Sequence, residues 1–150
     1  MHKNGKPPAR FPLGSVLKLR SHIVERKQMV LAQRLQALND TRQKIDMLDT
    51  AITHAYAEPV LPAMAMWHHR ALSAYTQRIR SVQAQLRQQA VQQQHQADEA
   101  QRDLTLALQG QKAIEKLKDK WQTARTQFEW GQEEAMLADI TNHKQRISPY

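Results

Sequence analysis

Histidines are the residues of this chain that could most readily bind a metal or transfer a proton near neutral pH, and there are seven of them. His68 and His69 are adjacent, so on a helix they point about 100° apart and cannot share one ion. The other five have no set of companion ligands at helical spacing that could complete a tetrahedral site: His2, His22, His54, His95 and His143. We therefore expect no metal site.

Catalytic groups of other kinds are also scarce. No serine lies in a nucleophile elbow, no glycine-rich loop could cradle a phosphate, and the chain contains no cysteine. The lack of cysteine excludes disulfides and thiol chemistry and fits a reducing compartment. The sequence predicts a protein that is not an enzyme and that uses no cofactor and no small-molecule substrate.

The composition favours long helices. The chain has 150 residues, is rich in Ala, Gln, Leu and Arg, and contains only four Gly and 5% aromatic residues. This balance is typical of a single all-α domain. No run approaches the ~18 apolar residues of a membrane span, and no apolar stretch of a signal peptide follows the basic start. We expect the protein to stay in the compartment where it is made.

The charge is unevenly distributed around a net value of +8. Residues 1–34 hold eight Lys and Arg but one acid, and residues 59–97 hold no acid at all. After Arg125 the sign reverses, with Glu129, Glu133, Glu134 and Asp139. A basic chain of this kind favours an acidic partner, which could be nucleic acid, anionic lipid or another protein.

Proline and glycine divide the chain into five segments. They are a flexible basic lead-in (1–14), a first helix (15–58), a Pro-bounded turn (59–62), a second helix (63–142) and a tail (143–150). Because the turn is short, the two helices should be antiparallel neighbours in a coiled-coil hairpin.

One heptad position of the first helix is apolar without a break. The predicted coiled-coil seam is Leu17, Val24, Leu31, Leu38, Ile45 and Ile52. The flanking position is mixed, so we expect a narrow and partly wet seam. An antiparallel register in which paired residue numbers add to about 120 would match apolar residues: Leu48 with Leu72, Leu38 with Val82, and Leu17 with Leu104.

The second helix is predicted to overhang the first. Its far part still carries an apolar stripe: Ile114, Leu117, Trp121 and Phe128. A stripe with no partner in its own chain predicts a partner elsewhere. The alternatives are that the overhang folds back at Gly110 or dimerises.

Two regions carry motifs of a known family. The first is Phe11-x-Leu13-x-x-Val16-Leu17-x-Leu19-Arg20, followed by a helix rich in Glu, Arg, Gln and Ala. The second is Ile114-Glu115-Lys116-Leu117-Lys118-Asp119-Lys120, followed by Gln132-Glu133-Glu134-Ala135-Met136-Leu137-Ala138-Asp139-Ile140. Together with the early Pro break and the long second helix, they resemble the flagellar type III export protein family FliJ. Ala138-Asp139 departs from the Asp-Glu that is common there.

The resemblance implies a two-helix stalk, similar to the gamma subunit of rotary ATPases. Its implied partners are the export ATPase hexamer and its stator, the cytoplasmic domain of the export gate, and export chaperones. It implies a cytoplasmic protein held peripherally at the inner face of the bacterial cell membrane through the export apparatus. A strip early in the second helix would bind the gate: Tyr75, Ile79, Val82 and Leu86. The far stripe (Ile114, Leu117, Trp121 and Phe128) is the expected ATPase-ring contact.

Other classes remain as alternatives. The stalk protein of injectisome type III secretion has the same architecture. A nucleic-acid-associated or structural coiled coil is the second class, although no zinc finger, basic-zipper register or helix-turn-helix spacing is visible, which disfavours nucleic acid.

Overall fold

The chain folds into two long α-helices joined by a short link. The structure, a computed structural model, describes residues 5–147, and no strand occurs within that range. Helix α1 spans Gly14–Ala57, a short 3-10 helix spans Pro62–Met64, and helix α2 spans Ala65–Ile147. The predicted all-α fold of two long helices is confirmed. Between residues 5 and 147, neither helix has the length and apolar character needed to cross a membrane.

The helix ends follow the local sequence. Helix α1 ends two residues before Pro59, because the residue preceding a proline is displaced from the helical conformation. Leu61 is extended, and Pro62 opens the 3-10 turn that leads into α2. Helix α2 continues to Ile147 instead of stopping at 142, and basic residues in its last turn favour that end of the helix dipole. The predicted tail is therefore helical as far as 147.

The lead-in also differs from its prediction. Residues 5–13 are not helical, but they contact α2, as described below. Residues 1–4 of the predicted lead-in and 148–150 of the predicted tail lie outside the described residues.

Helical contacts divide the chain into two compact units. The hairpin unit is Glu25–Thr105 and contains the link. The end unit combines Met1–Val24 with Leu106–Tyr150. In each unit a part of α1 or the lead-in packs against a part of α2.

The hairpin unit is an antiparallel helix pair with a narrow seam. On α1 the predicted positions Leu31, Leu38, Ile45 and Ile52 are all buried or half-buried. On α2 the facing residues recur at spacings of three and four, as in a coiled coil: Thr76, Ile79, Gln83, Leu86, Ala90, Gln93, Ala97, Ala100 and Leu104. Two thirds of this stripe is polar or alanine, so little apolar volume fills the seam.

The predicted register is wrong by about ten residue numbers. Gln83 contacts Asp49 and Ile45, and Lys27 lies 3.7 Å from Asp103, so paired numbers add to about 130 and not 120. The link explains the offset. An extended residue advances the chain by ~3.3 Å and a helical residue by ~1.5 Å. The few extended residues of the link therefore span the same length as several residues of α2, which shifts the pairing of the two helices. Leu48 therefore does not face Leu72, and Leu38 does not face Val82.

In the end unit, Leu17 and Val24 of α1 face the same heptad stripe of α2, which continues through Ile114. Ser21 accepts a hydrogen bond from Gln111 at 3.1 Å. The Arg20 guanidinium crosses Gly110, where an added Cβ would lie 3.2 Å from its Nη1. Gly110 thus lies inside the continuous helix α2 at a close approach, and the chain does not fold back there.

Candidate interaction surfaces

Polar side chains that bond across the seam, one of them buried, hold the register of the hairpin unit. Gln83 is 2% exposed, and its Nε2 donates to the Ile45 carbonyl at 3.1 Å and to Asp49 Oδ1 at 2.6 Å. The Arg34 guanidinium donates to Gln96, and that of Arg42 donates to Gln94. These contacts link the two helices. Apolar periodicity alone could not place Gln83 in the seam.

The lead-in covers part of the stripe that was expected to be free. Trp121 Nε1 donates to the Pro8 carbonyl at 3.1 Å, and the Phe11 ring centroid lies 5.8 Å from that of Trp121. The Arg125 guanidinium lies 5.6 Å from the Trp121 ring centroid and also donates to the Ala9 carbonyl. We name this cluster the lead-in clamp. The prediction that the stripe has no partner in its own chain is therefore wrong at Trp121.

The predicted ATPase-ring residues do not share one environment. Ile114, Trp121 and Phe128 are half-buried on the seam side of α2, and Phe128 borders a hollow that Gly5 and Pro7 also line. Leu117 is 45% exposed and lies beside the half-buried positions of α2, not among them. Of this set, Leu117 alone offers a largely open apolar side chain.

The predicted gate residues also divide into two pairs. Ile79 is buried and Leu86 half-buried, because both occupy seam positions of the hairpin unit. Tyr75 and Val82 are 43% and 46% exposed and lie seven residues apart, so they share one outer face of α2. The structure brings these two together as an accessible surface.

An apolar patch at the link was not predicted from the sequence. Its exposed side chains are Tyr56, Leu61, Met64, Met66 and Trp67. Trp67 is 70% exposed, and the Arg70 guanidinium lies 6.0 Å from its ring centroid. The signal in the sequence was the group of Met and Trp residues next to the two prolines. At a turn, large apolar residues do not fall on one face of a helix, so they cannot all be buried in the seam.

The last part of α2 is exposed along its length, although Gly5 and Pro7 line a hollow beside Gly131, Gln132 and Ala135. Every residue from 129 to 147 is exposed, and several are large and apolar: Trp130, Met136, Leu137, Ile140 and Ile147. We call this segment the free end. A surface of this kind on a helix is typical of an interaction site.

Three of the four histidines of the hairpin unit, His54, His68 and His69, lie near the link, whereas His95 lies farther along α2. His54, Glu58 and His68 line one open hollow beside the link. Within the part of the chain that the structure describes, no three His, Asp or Glu residues group closely enough to hold a metal ion.

The chain was also compared with known proteins. Family models, curated proteins and solved structures gave no match to the chain.

Proposed function

We propose that the protein is a non-enzymatic coiled-coil component of the flagellar type III export apparatus. It acts as a central stalk that couples the export ATPase ring to the membrane export gate, and it escorts export chaperones. The observation that carries this proposal is the antiparallel helix pairing in each unit, combined with a helix end that is exposed along its length. A stalk needs paired helices for stiffness and an exposed end to enter a ring.

The outer face of α2 in the hairpin unit is the proposed gate contact. Tyr75 and Val82 supply its apolar side chains, and Arg78 beside them is exposed. No acid occurs in residues 59–97, so this surface suits a partner whose contact region is apolar with an acidic rim. In this proposal the protein works in the cytoplasm and is held at the membrane only through the apparatus.

Binding to the purified cytoplasmic domain of the gate tests this surface. Val82→Asp should weaken binding at least tenfold, because it places a charge in the apolar contact. Val91→Asp is the matched control: it changes the same residue type on the same helix, is also exposed, and lies on the opposite side of α2. Equal binding by both variants would contradict the gate contact.

Binding to the export ATPase hexamer tests the stalk itself. We expect the full chain to co-purify with the hexamer and Leu117→Asp to weaken the complex. Leu35→Asp, at a similarly exposed leucine of α1, should have no effect. Failure of the full chain to bind the hexamer would reject the proposed function.

A nucleic-acid partner is the second candidate, and one observation favours it. Four arginines of α2 are exposed in or near the acid-free stretch: Arg70, Arg78, Arg80 and Arg87. Nuclease treatment separates the two proposals. A protein complex should survive it while weakening between about 50 and 300 mM salt, whereas loss on nuclease treatment would favour nucleic acid.

A further inference from the structure

The free end changes the face on which its apolar residues lie. Up to Phe128, the half-buried positions of α2 follow the seam spacing of three and four residues. The same spacing then reaches Gln132, Ala135, Asp139 and Asn142, so the seam stripe becomes polar beyond Phe128. The large apolar residues shift to another side of the helix. The free end therefore cannot extend the seam of its own chain.

A new heptad stripe occupies that other side. Its residues again recur at spacings of three and four: Trp130, Glu133, Leu137, Ile140, Lys144 and Ile147. All six are exposed, and Trp130 and Leu137 are each 64% exposed. Among residues 5–147, neither Glu133 nor Lys144 forms an ion pair. We call this set the free-end stripe.

We propose that the free-end stripe pairs with the same stripe of a second copy of this chain in an antiparallel, two-fold symmetric coiled coil. Antiparallel coiled coils stack the first core position of one helix against the second core position of the other. In this stripe, that rule sets Trp130 against Ile147 of the second copy and Leu137 against its Ile140. It also sets Glu133 against Lys144, and symmetry repeats each of these layers once.

Charge complementarity selects this arrangement. In the antiparallel register every charged core residue meets the opposite charge, because acids precede Leu137 and bases follow Ile140. A parallel, in-register pair would instead bring Glu133 against Glu133 and Lys144 against Lys144 inside the core. The same polarity extends outside the stripe, where Glu134 lies in the first half and His143 and Arg146 in the second.

The surroundings leave room for the second helix. The lead-in borders α2 at Phe128, Gly131, Gln132 and Ala135, none of which belongs to the stripe. In the antiparallel pair, Ile147 of the second copy lies opposite Trp130, so its helix ends near the covered part of α2. The stripe contributes six core residues a side, far fewer than the ~20–30 contacting residues a side of a standard interface. The dimer should therefore be weak, with a Kd on the order of 10–100 μM.

Sedimentation of the full chain over a concentration series tests the dimer. We expect a reversible dimer, weakened at least tenfold by Glu133→Lys, because symmetry turns both ionic layers into pairs of like charge. The double variant Glu133→Lys, Lys144→Glu should return to within about threefold of the parent. Leu137→Asp should abolish the dimer, while Ala138→Asp, one residue away on the outer side, should leave it intact. Circular dichroism checks that each variant keeps its helices.

Disulfide trapping tests the orientation, since the chain has no cysteine of its own. A mixture of the Glu133→Cys and Lys144→Cys variants should form the mixed disulfide. Each variant alone should not, because its two equivalent positions lie about 16 Å apart in the antiparallel pair. Either of two results would overturn the proposal. One is a disulfide that links two copies of the Lys144→Cys variant alone. The other is a chain that stays monomeric at 200 μM, a concentration chosen well above the expected Kd on the order of 10–100 μM. The dimer and entry of the free end into a ring would exclude each other on one copy, but the test of the dimer does not depend on the proposed function.

Discussion

The lead-in clamp can be opened by one substitution, Trp121→Ala. The change removes the hydrogen bond from Trp121 Nε1 to the Pro8 carbonyl and the ring contact with Phe11. Each contributes ~0.5–1.5 kcal/mol, so their loss favours release of the lead-in by about 2 kcal/mol. That free energy corresponds to roughly a thirtyfold larger population of the open form.

Trypsin cleavage between Arg10 and Phe11 should report this opening. Arg10 is exposed, but the half-buried Phe11 must leave Trp121 before the protease can bind the chain on both sides of the bond. When opening and closing are fast relative to cleavage, the cleavage rate follows the open population. We expect Trp121→Ala to be cleaved there about 10–30 times faster than the parent, as followed by mass spectrometry. Trp130→Ala is the control, since it removes an exposed tryptophan from the same helix without touching the lead-in. An unchanged cleavage rate in Trp121→Ala would refute the clamp.

Three further substitutions test the packing of the seam and of α2, each by urea unfolding of the full chain. Thr76→Val should raise the free energy of unfolding by about 1 kcal/mol, because the buried Thr76 hydroxyl has no partner among residues 5–147. Thr41→Val should bring no such gain, since the Thr41 hydroxyl donates to the Ala37 carbonyl. Gln83→Ala should lower the free energy of unfolding by about 2 kcal/mol through loss of its two hydrogen bonds, and Gln85→Ala, at an exposed glutamine, should not. Gly131→Ala should add up to about 1 kcal/mol because an added Cβ meets nothing within 4 Å, whereas Gly110→Ala should add less because the Arg20 guanidinium must move.

The two helices could be predicted from the sequence because their signals are local. Proline at 59 and 62 marks the only internal break, and six apolar residues at spacing seven mark the buried side of α1. Both signals act within one or two turns of a helix. The residue that faces each position cannot be predicted in this way, because it depends on the link. The apolar row of α1 recurs every seven residues and can be matched to either row of the α2 stripe, so shifts of seven or of about ten residues fit equally well. The register of the hairpin unit was missed for that reason.

The interaction surfaces were partly predictable. The far stripe of α2 was visible as a periodic pattern, but its cover was not. Pro7, Pro8 and Pro12 indicated an irregular lead-in, and an irregular segment can still pack through single aromatic residues. Phe11 was the signal for this contact. Whether Tyr75 or Ile79 faces outward follows from the register, so the split of the predicted gate residues could not be read from the sequence.

The sparse filling of the seam has a thermodynamic consequence. Only seven apolar side chains are buried within residues 5–147: Val24, Leu38, Ile79, Ala97, Ala100, Leu104 and Ala107. Unfolding therefore exposes little new apolar surface, and the heat-capacity increment should fall below the ~12–15 cal/mol/K per residue of globular proteins. The stability curve is then shallow, so cooling removes little stability. On heating, the helical segments with the fewest buried contacts should unfold first, so helix should be lost over a broad range of temperature.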